Sequence, residues 1–370
     1  MTTKFKLSAL TLSLALAIPA LGFAVTATQP EVLDTVYVLS NDVTHNEVLT
    51  FQRDAKNGMV QTGHVATGGT GTGGGLGNQG ALAFSKGGNY LFAVNPGSNS
   101  VSVFSVKKNG QLSLLDTADD AGLRPVSVTV DHNRVFVVNA GDGTIFGYKF
   151  NRTQGKLEPL PLTNKRLSGT SVGPAQISFD NEGEVLVVTE KATNKIITYT
   201  VNENGIPGMM HSITSANTTP FGFAVGKEEN IFVSEAAGGA PGASTLSSYI
   251  VNENGSISLS HGPVGANQSA ACWVVITNNG KYAYTTNTAS NNLTTFNVNN
   301  NGNISVNTAI SATTQMGPID AALSKNSKYL YILNSGTHSI SVYSVASNGG
   351  LSSVQTVAGL PTGANGLAAR

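Results

Sequence analysis

The chain has 370 residues, 21 basic and 21 acidic side chains, and charge on only 11% of its positions. With no concentrated run of Lys or Arg, neither nucleic acid nor an acidic lipid surface is an expected partner, since both need clustered positive charge. Cys272 is the single cysteine, so no disulfide forms within the chain and stability must come from packing.

Residues 1–27 read as a secretory signal. Lys4 and Lys6 precede an apolar stretch from Leu7 to Ala20, and Val25 and Ala27 provide the small residues before a cleavage site. The apolar stretch is shorter than the ~20 residues a membrane-spanning helix needs. The expected mature chain, residues 28–370, is an exported single domain in the periplasm or outside the cell, monomeric and without a membrane span.

Beyond the signal one unit recurs. SNSVSVFSVKKNGQL (98–112), DGTIFGYKFNRTQGKL (142–157), TNKIITYTVNENGIP (193–207), NNLTTFNVNNNGNI (291–304) and THSISVYSVASNGGL (337–351) each show an alternating strand with an aromatic, an Asn/Gly turn and another strand. The aromatic returns at Phe51, Phe104, Tyr148, Tyr199, Tyr249, Phe296 and Tyr343, at intervals of 53, 44, 51, 50, 47 and 47 residues. Around it sits a four-strand unit, clearest as GALAFS, NYLFAVN, SVSVFSV and QLSLLDT. Short alternating segments joined by hairpin turns argue antiparallel strands, and seven such units predict an all-β, seven-bladed β-propeller of four-stranded blades. The first unit, TVYVLS (35–40), lacks an inner strand, while GANGLAAR (363–370) resembles NQGALAFS (78–85). The C-terminal strand is therefore expected to complete blade one and close the ring.

GGTGTGGGLG (68–77) satisfies G-x-G-x-x-G at Gly69, Gly71 and Gly74. A dinucleotide loop must open a helix, and none follows. The run reads instead as a blade-to-blade connection on the face where inner strands start and second strands end, here called the top face. It is either a mobile backbone that can cover an acidic ligand or merely slack in the ring.

Candidate site residues come from comparing blades. Second strands end at Asn41 or Asp42, Asn95, Asn139, Glu190, Glu235, Asn287 and Asn334, so Glu190 and Glu235 replace turn amides in neighbouring blades. Inner strands start at Ala81, Ser127, Gln176, Gly222, Trp273, Asp320 and Gly366, with Gln176 and Asp320 as variable polar positions. Trp273 reads as a partly exposed pocket wall and Cys272 as core. Arg124, Lys165, Arg166 and Lys191 belong to the top face of blades three and four, where they either hold an anionic group or are scattered solubilising charge. The six histidines have no metal-ligand spacing and no G-x-S-x-G elbow occurs, so no metal or other cofactor is expected.

The repeats VVNAGDGTIFGYKF, VTEKATNKIITYTV and ILNSGTHSISVYSV, with the tail GLPTGANGLAA, resemble the seven-bladed lactonase family that includes propeller-type 6-phosphogluconolactonases and fungal carboxymuconate cyclases. The resemblance spans essentially the whole mature chain. It implies an acid at the end of a second strand, in a motif like V-x-N-E, and Glu190 in VVTEK matches it. Where those enzymes begin the same blade with G-P-R-H, this chain has Ala175 and Gln176, and glutamine cannot shuttle a proton. The implied activity is metal-free hydrolysis or formation of a lactone of an acidic sugar or carboxylic acid. Glu190 or Glu235 activates water, Arg124 or Arg166 holds the acidic arm, Gln176 donates to the developing oxyanion, and Lys191, Trp273 and Asp320 line the site. The alternative is a non-catalytic exported propeller whose top face holds a peptide, glycan or envelope partner.

Overall fold

Alternation fixes the strands, and burial on both sides fixes the blades. Middle strands such as Tyr90–Asn95 and Ser100–Val106 are buried along almost their entire length, because their two faces pack against the two neighbouring blades. Outer strands such as Pro207–Thr214 and Leu351–Ala358 return to alternating exposure at the rim. The computed structural model describes residues 1–4, 32–56, 58–119 and 122–370. The proposed signal peptide falls almost entirely outside the described residues.

Seven antiparallel sheets form the ring, each running inner to outer in chain order apart from the first. In blade one the C-terminal strand Asn365–Ala369 takes the inner position, pairing Val36 with Ala369 and Val38 with Leu367. The closure expected from GANGLAAR is therefore present, the last strand completing the first blade. In blade three the outer position is split between Lys156–Pro159 and Lys165–Arg166, both paired along Thr144–Asn151.

The recurring aromatic explains how blades stay together. All seven are buried. Where it is tyrosine, its hydroxyl needs an acceptor. Tyr148, Tyr199 and Tyr343 donate to the carbonyls of Asp119, Arg166 and Thr313 on the preceding blade, at 2.9, 2.7 and 2.7 Å.

The glycine run is built into this frame. Asn41 Nδ2 donates to the Gly74 carbonyl at 2.7 Å, and the Thr72 N–H donates back to Asn41 Oδ1 at 2.9 Å. Glycine is required at Gly71 by close approach: a Cβ there would lie 2.2 Å from the Asn41 carbonyl carbon. The expected mobile cover is thus a connection packed backbone to backbone on blade one.

Candidate functional site

Second-strand ends form a repeated polar turn. Asn95 donates to Ser100 Oγ and Ser102 Oγ at 3.2 and 2.7 Å, Asn287 to Thr294 Oγ1 at 2.9 Å, and Asn334 to Ser341 Oγ at 2.9 Å. Glu190 and Glu235 keep this register with the polarity reversed, the carboxylate now accepting. Both are fully buried. Glu190 receives the Ser168 N–H at 2.9 Å, the Ser168 hydroxyl at 2.5 Å and the Thr193 hydroxyl. Glu235 receives Thr245 and Ser247 hydroxyls at 2.5 and 2.8 Å, Ser215 Oγ at 2.9 Å, Tyr249 OH at 3.1 Å and the Asn217 N–H at 3.2 Å. An ionised carboxylate offers about four acceptor sites. Those of Glu235 are filled by its own blade and by the connection entering it.

Inner strands are sheet edges, and their free N–H groups need acceptors across the blade gap. The candidate residues at these positions supply them. Ser127 Oγ accepts the Ile177 N–H at 3.2 Å, Gln176 Oε1 the Phe223 N–H at 2.7 Å, and Asp320 Oδ2 the Leu367 N–H at 3.0 Å. Gln176, expected as an oxyanion donor, has its amide oxygen held by the next blade, a bond that leaves its NH₂ group, the part that would donate, unengaged. Asp320 also accepts the Ala321 N–H at 2.8 Å, yet complete burial pushes its carboxyl up to about 8. Two amide donors do not offset the loss of water around the charge.

Gly222 has no side chain to offer, and the gap is bridged from elsewhere. Gln79 reaches the inner strand of blade six, Nε2 donating to the Val274 carbonyl at 2.9 Å and Oε1 accepting the Val274 N–H at 3.1 Å. A Cβ on Gly222 would sit 2.0 Å from Gln79 Oε1. The Gln79 N–H donates to the Ala175 carbonyl of blade four at 2.9 Å, Gly80 O accepts the Val128 N–H of blade three at 2.8 Å, and Asn78 Nδ2 donates to the Val126 carbonyl. Residues 78–80, on their way into blade two, therefore reach the inner strands of blades three, four and six. The inner strand of blade two, Leu82–Phe84, is correspondingly short.

Against this bridge stands Lys191. Its ammonium donates to the carbonyls of Gly77 and, at 3.3 Å, Pro174, and lies 4.7 Å from the centre of the Phe221 ring. Burial pushes its pKa down to about 8; nearby Arg124 adds to the fall and Cys272 opposes it. Phe221 packs on Trp273 with ring centres 5.0 Å apart, in a buried cluster with Ala175, Ala236 and Cys272. Trp273, expected as a partly exposed wall, is 3% exposed, and its Nε1 meets no acceptor among the described residues. Cys272 is core, its thiol pushed up to about 11 by burial. Arg124 is exposed, its N–H held by Asn99 Oδ1 at 2.7 Å.

The candidates thus separate. Lys191, Trp273 and, by its charge, Arg124 gather at the mouth together with Phe221, which sequence comparison passed over. Glu190, Glu235 and Asp320 are turned into blade packing, as is the amide oxygen of Gln176. Arg166 is an exposed residue on the split outer strand of blade three. Among the described residues no group of three or more His, Cys, Asp or Glu could hold a metal ion.

No curated protein sequence matches the chain. Among solved structures, a proposed 6-phosphogluconolactonase from Bacteroides uniformis superposes with a TM-score of 0.73 at 18% identity, over 91% of this chain and 99% of that one. A second from Bacteroides fragilis gives 0.70 at 17%, covering 91% and 98%, and a protein from Lactobacillus plantarum gives 0.73 at 17%, covering 91% and 99%. At such identities the likeness speaks for the fold alone. The family profile described as "Lactonase, 7-bladed beta-propeller" matches residues 34–172 and 244–365, the greater part of the sequence. The ring of seven blades and that match agree, and the chain belongs to the seven-bladed β-propeller lactonase family.

Proposed function

We propose that this protein is an exported member of the family that works by binding, holding a small acidic molecule or an envelope glycan or peptide, and that it does not hydrolyse lactones. The carrying observation is the state of the two out-of-pattern acids. A general base must face the water it deprotonates, whereas Glu190 and Glu235 are enclosed and accept hydrogen bonds from their own surroundings. The Gln79 bridge across the inner strands supports the same reading, because a substrate entering the top mouth would have to displace it. Export is proposed from the N-terminal signal, and N-terminal sequencing of the secreted protein should find a start near Thr28.

The test is titrimetric hydrolysis of a panel spanning gluconolactone, its 6-phosphate, muconolactone and an acyl-homoserine lactone by the purified mature protein. No rate above the uncatalysed one is expected. A kcat/KM on the order of 10⁴ M⁻¹s⁻¹ or higher for any of them, the ordinary enzyme range, would overturn the reading.

Lys191 favours a second reading. With a pKa near 8, part of its population is neutral at pH 7 to 8 and can take a proton from water as that water adds to a lactone carbonyl. The ring C–O bond then breaks and the proton passes to the leaving alkoxide, with Arg124 holding the acidic arm. On this reading Lys191→Met abolishes a measurable hydrolysis that wild type shows; on the binding reading there is none to abolish.

A further inference from the structure

On the face opposite the Gln79 bridge, the lower ends of blades one, two and seven enclose a cleft of about 530 Å³, within the range of small-molecule sites. Its lining carries Lys86, Lys108, Lys325 and Arg370 against Asp34 and the terminal carboxylate of Arg370 itself. Asp34 is already spent: it is buried, paired with the Arg53 guanidinium at 2.5 Å, and accepts the Tyr331 hydroxyl at 2.8 Å. In a chain with 21 charges of each sign, four cationic side chains around one opening, against one terminal carboxylate, are a local excess of positive charge.

The cleft also has a built element. The Arg370 guanidinium is held by the carbonyls of Gly88 at 3.2 Å and Lys108 at 3.3 Å, so one cation is fixed in place before any ligand arrives. An oxygen of the Arg370 terminal carboxylate accepts the Thr35 N–H at 3.1 Å, which holds that negative group against the strand. Phe84 adds an apolar wall, and Val32 and Leu33, 42% and 44% exposed, add an apolar rim. Cations from three blades spaced around a cavity of this size suit a sugar-sized ligand with more than one oxyanion group better than a lone carboxylate.

We propose that this lower cleft binds a small polyanion, a molecule bearing two or more carboxylate or phosphoryl charges, with Arg370 as the fixed anchor and Lys86, Lys108 and Lys325 closing on it. The site lies on the face away from Lys191 and is independent of whether the top mouth hydrolyses anything.

Isothermal titration of the mature protein with citrate, with glucose 6-phosphate and with glucose tests it. One-to-one binding of citrate or of glucose 6-phosphate, and none of glucose, is expected; the anion that binds more tightly identifies the carboxylate or the phosphoryl class. The double variant Lys86→Gln, Lys325→Gln should weaken that binding by about tenfold or more, while Lys149→Gln on blade three leaves it unchanged. Unchanged melting temperatures would show that the variants fold. Binding of neither anion, or equal affinity in the double variant and in Lys149→Gln, would overturn the proposal.

Discussion

Glu235 shows what a single buried charge can do when its surroundings were made for it. Four hydroxyls and one amide converge on its carboxylate. Replacing one carboxylate oxygen with an NH₂ group, as in Glu235→Gln, sets a donor against donors. We expect a loss of about 2 kcal/mol or more in chemical denaturation, with secondary structure retained; a neutral result would mean that the carboxylate is not structural. The register made Glu190 and Glu235 visible as exceptions, but not the direction they face. That depends on hydroxyl residues brought beside them, Ser168 and Ser215 from the preceding connections among them, which are distant in sequence and adjacent only in the ring. Asp320 supplies a second test. Its folded pKa of about 8 lies above that of an unfolded aspartate, so the folded state holds the proton more tightly. Stability from this group is complete below about pH 4 and is lost as pH rises toward 8, by at most about 1.4 kcal/mol per unit. Lys191, whose pKa is lowered to about 8, contributes in the opposite sense only above that window. Asp320→Asn should therefore flatten the fall in stability between pH 5 and 8 measured by urea denaturation, and an unaltered slope would contradict the assignment.

Among elements, the connection from blade one to blade two departs furthest from its sequence reading. Its glycine spacing fits a nucleotide loop, the lack of a following helix excluded one, and that exclusion stands: the strand Leu82–Phe84 comes next. Its position between blades was legible too. Its packing was not, because glycine chosen for close approach looks the same in sequence as glycine chosen for freedom. Gly71 against the Asn41 carbonyl, and Gly222 against Gln79, become interpretable only when the partner is in place. Gly222→Ala should cost about 1–3 kcal/mol by forcing Gln79 off Val274 and crowding the Cys272 carbonyl, which would lie 2.7 Å from the new methyl. Part of that penalty should vanish when Gly222→Ala is made in a Gln79→Ala background, since the two groups compete for one space. Strict additivity in the thermal unfolding of the four proteins would show that the side chains do not meet.

At the scale of the whole molecule, the repeat carried nearly all the information. Seven aromatics at near-constant intervals, an incomplete first unit and a matching C-terminal segment were enough for blade number, strand order and closure, because each blade's structure is local and its contacts repeat. What the repeat could not show is what fills the centre, since the bridge from residues 78–80 breaks the pattern in a single blade. On the proposed binding reading, that bridge closes the top mouth: Gln79 ties the inner strands of blades four and six together across the ring. Amide hydrogen exchange at Val274, whose N–H is bound by Gln79 Oε1 at 3.1 Å, reads this most directly. The account predicts exchange as slow as that of the neighbouring inner-strand amides in wild type and markedly faster in Gln79→Ala. Fast exchange at Val274 in wild type, unaffected by removing Gln79, would mean that the mouth stands open and would contradict it.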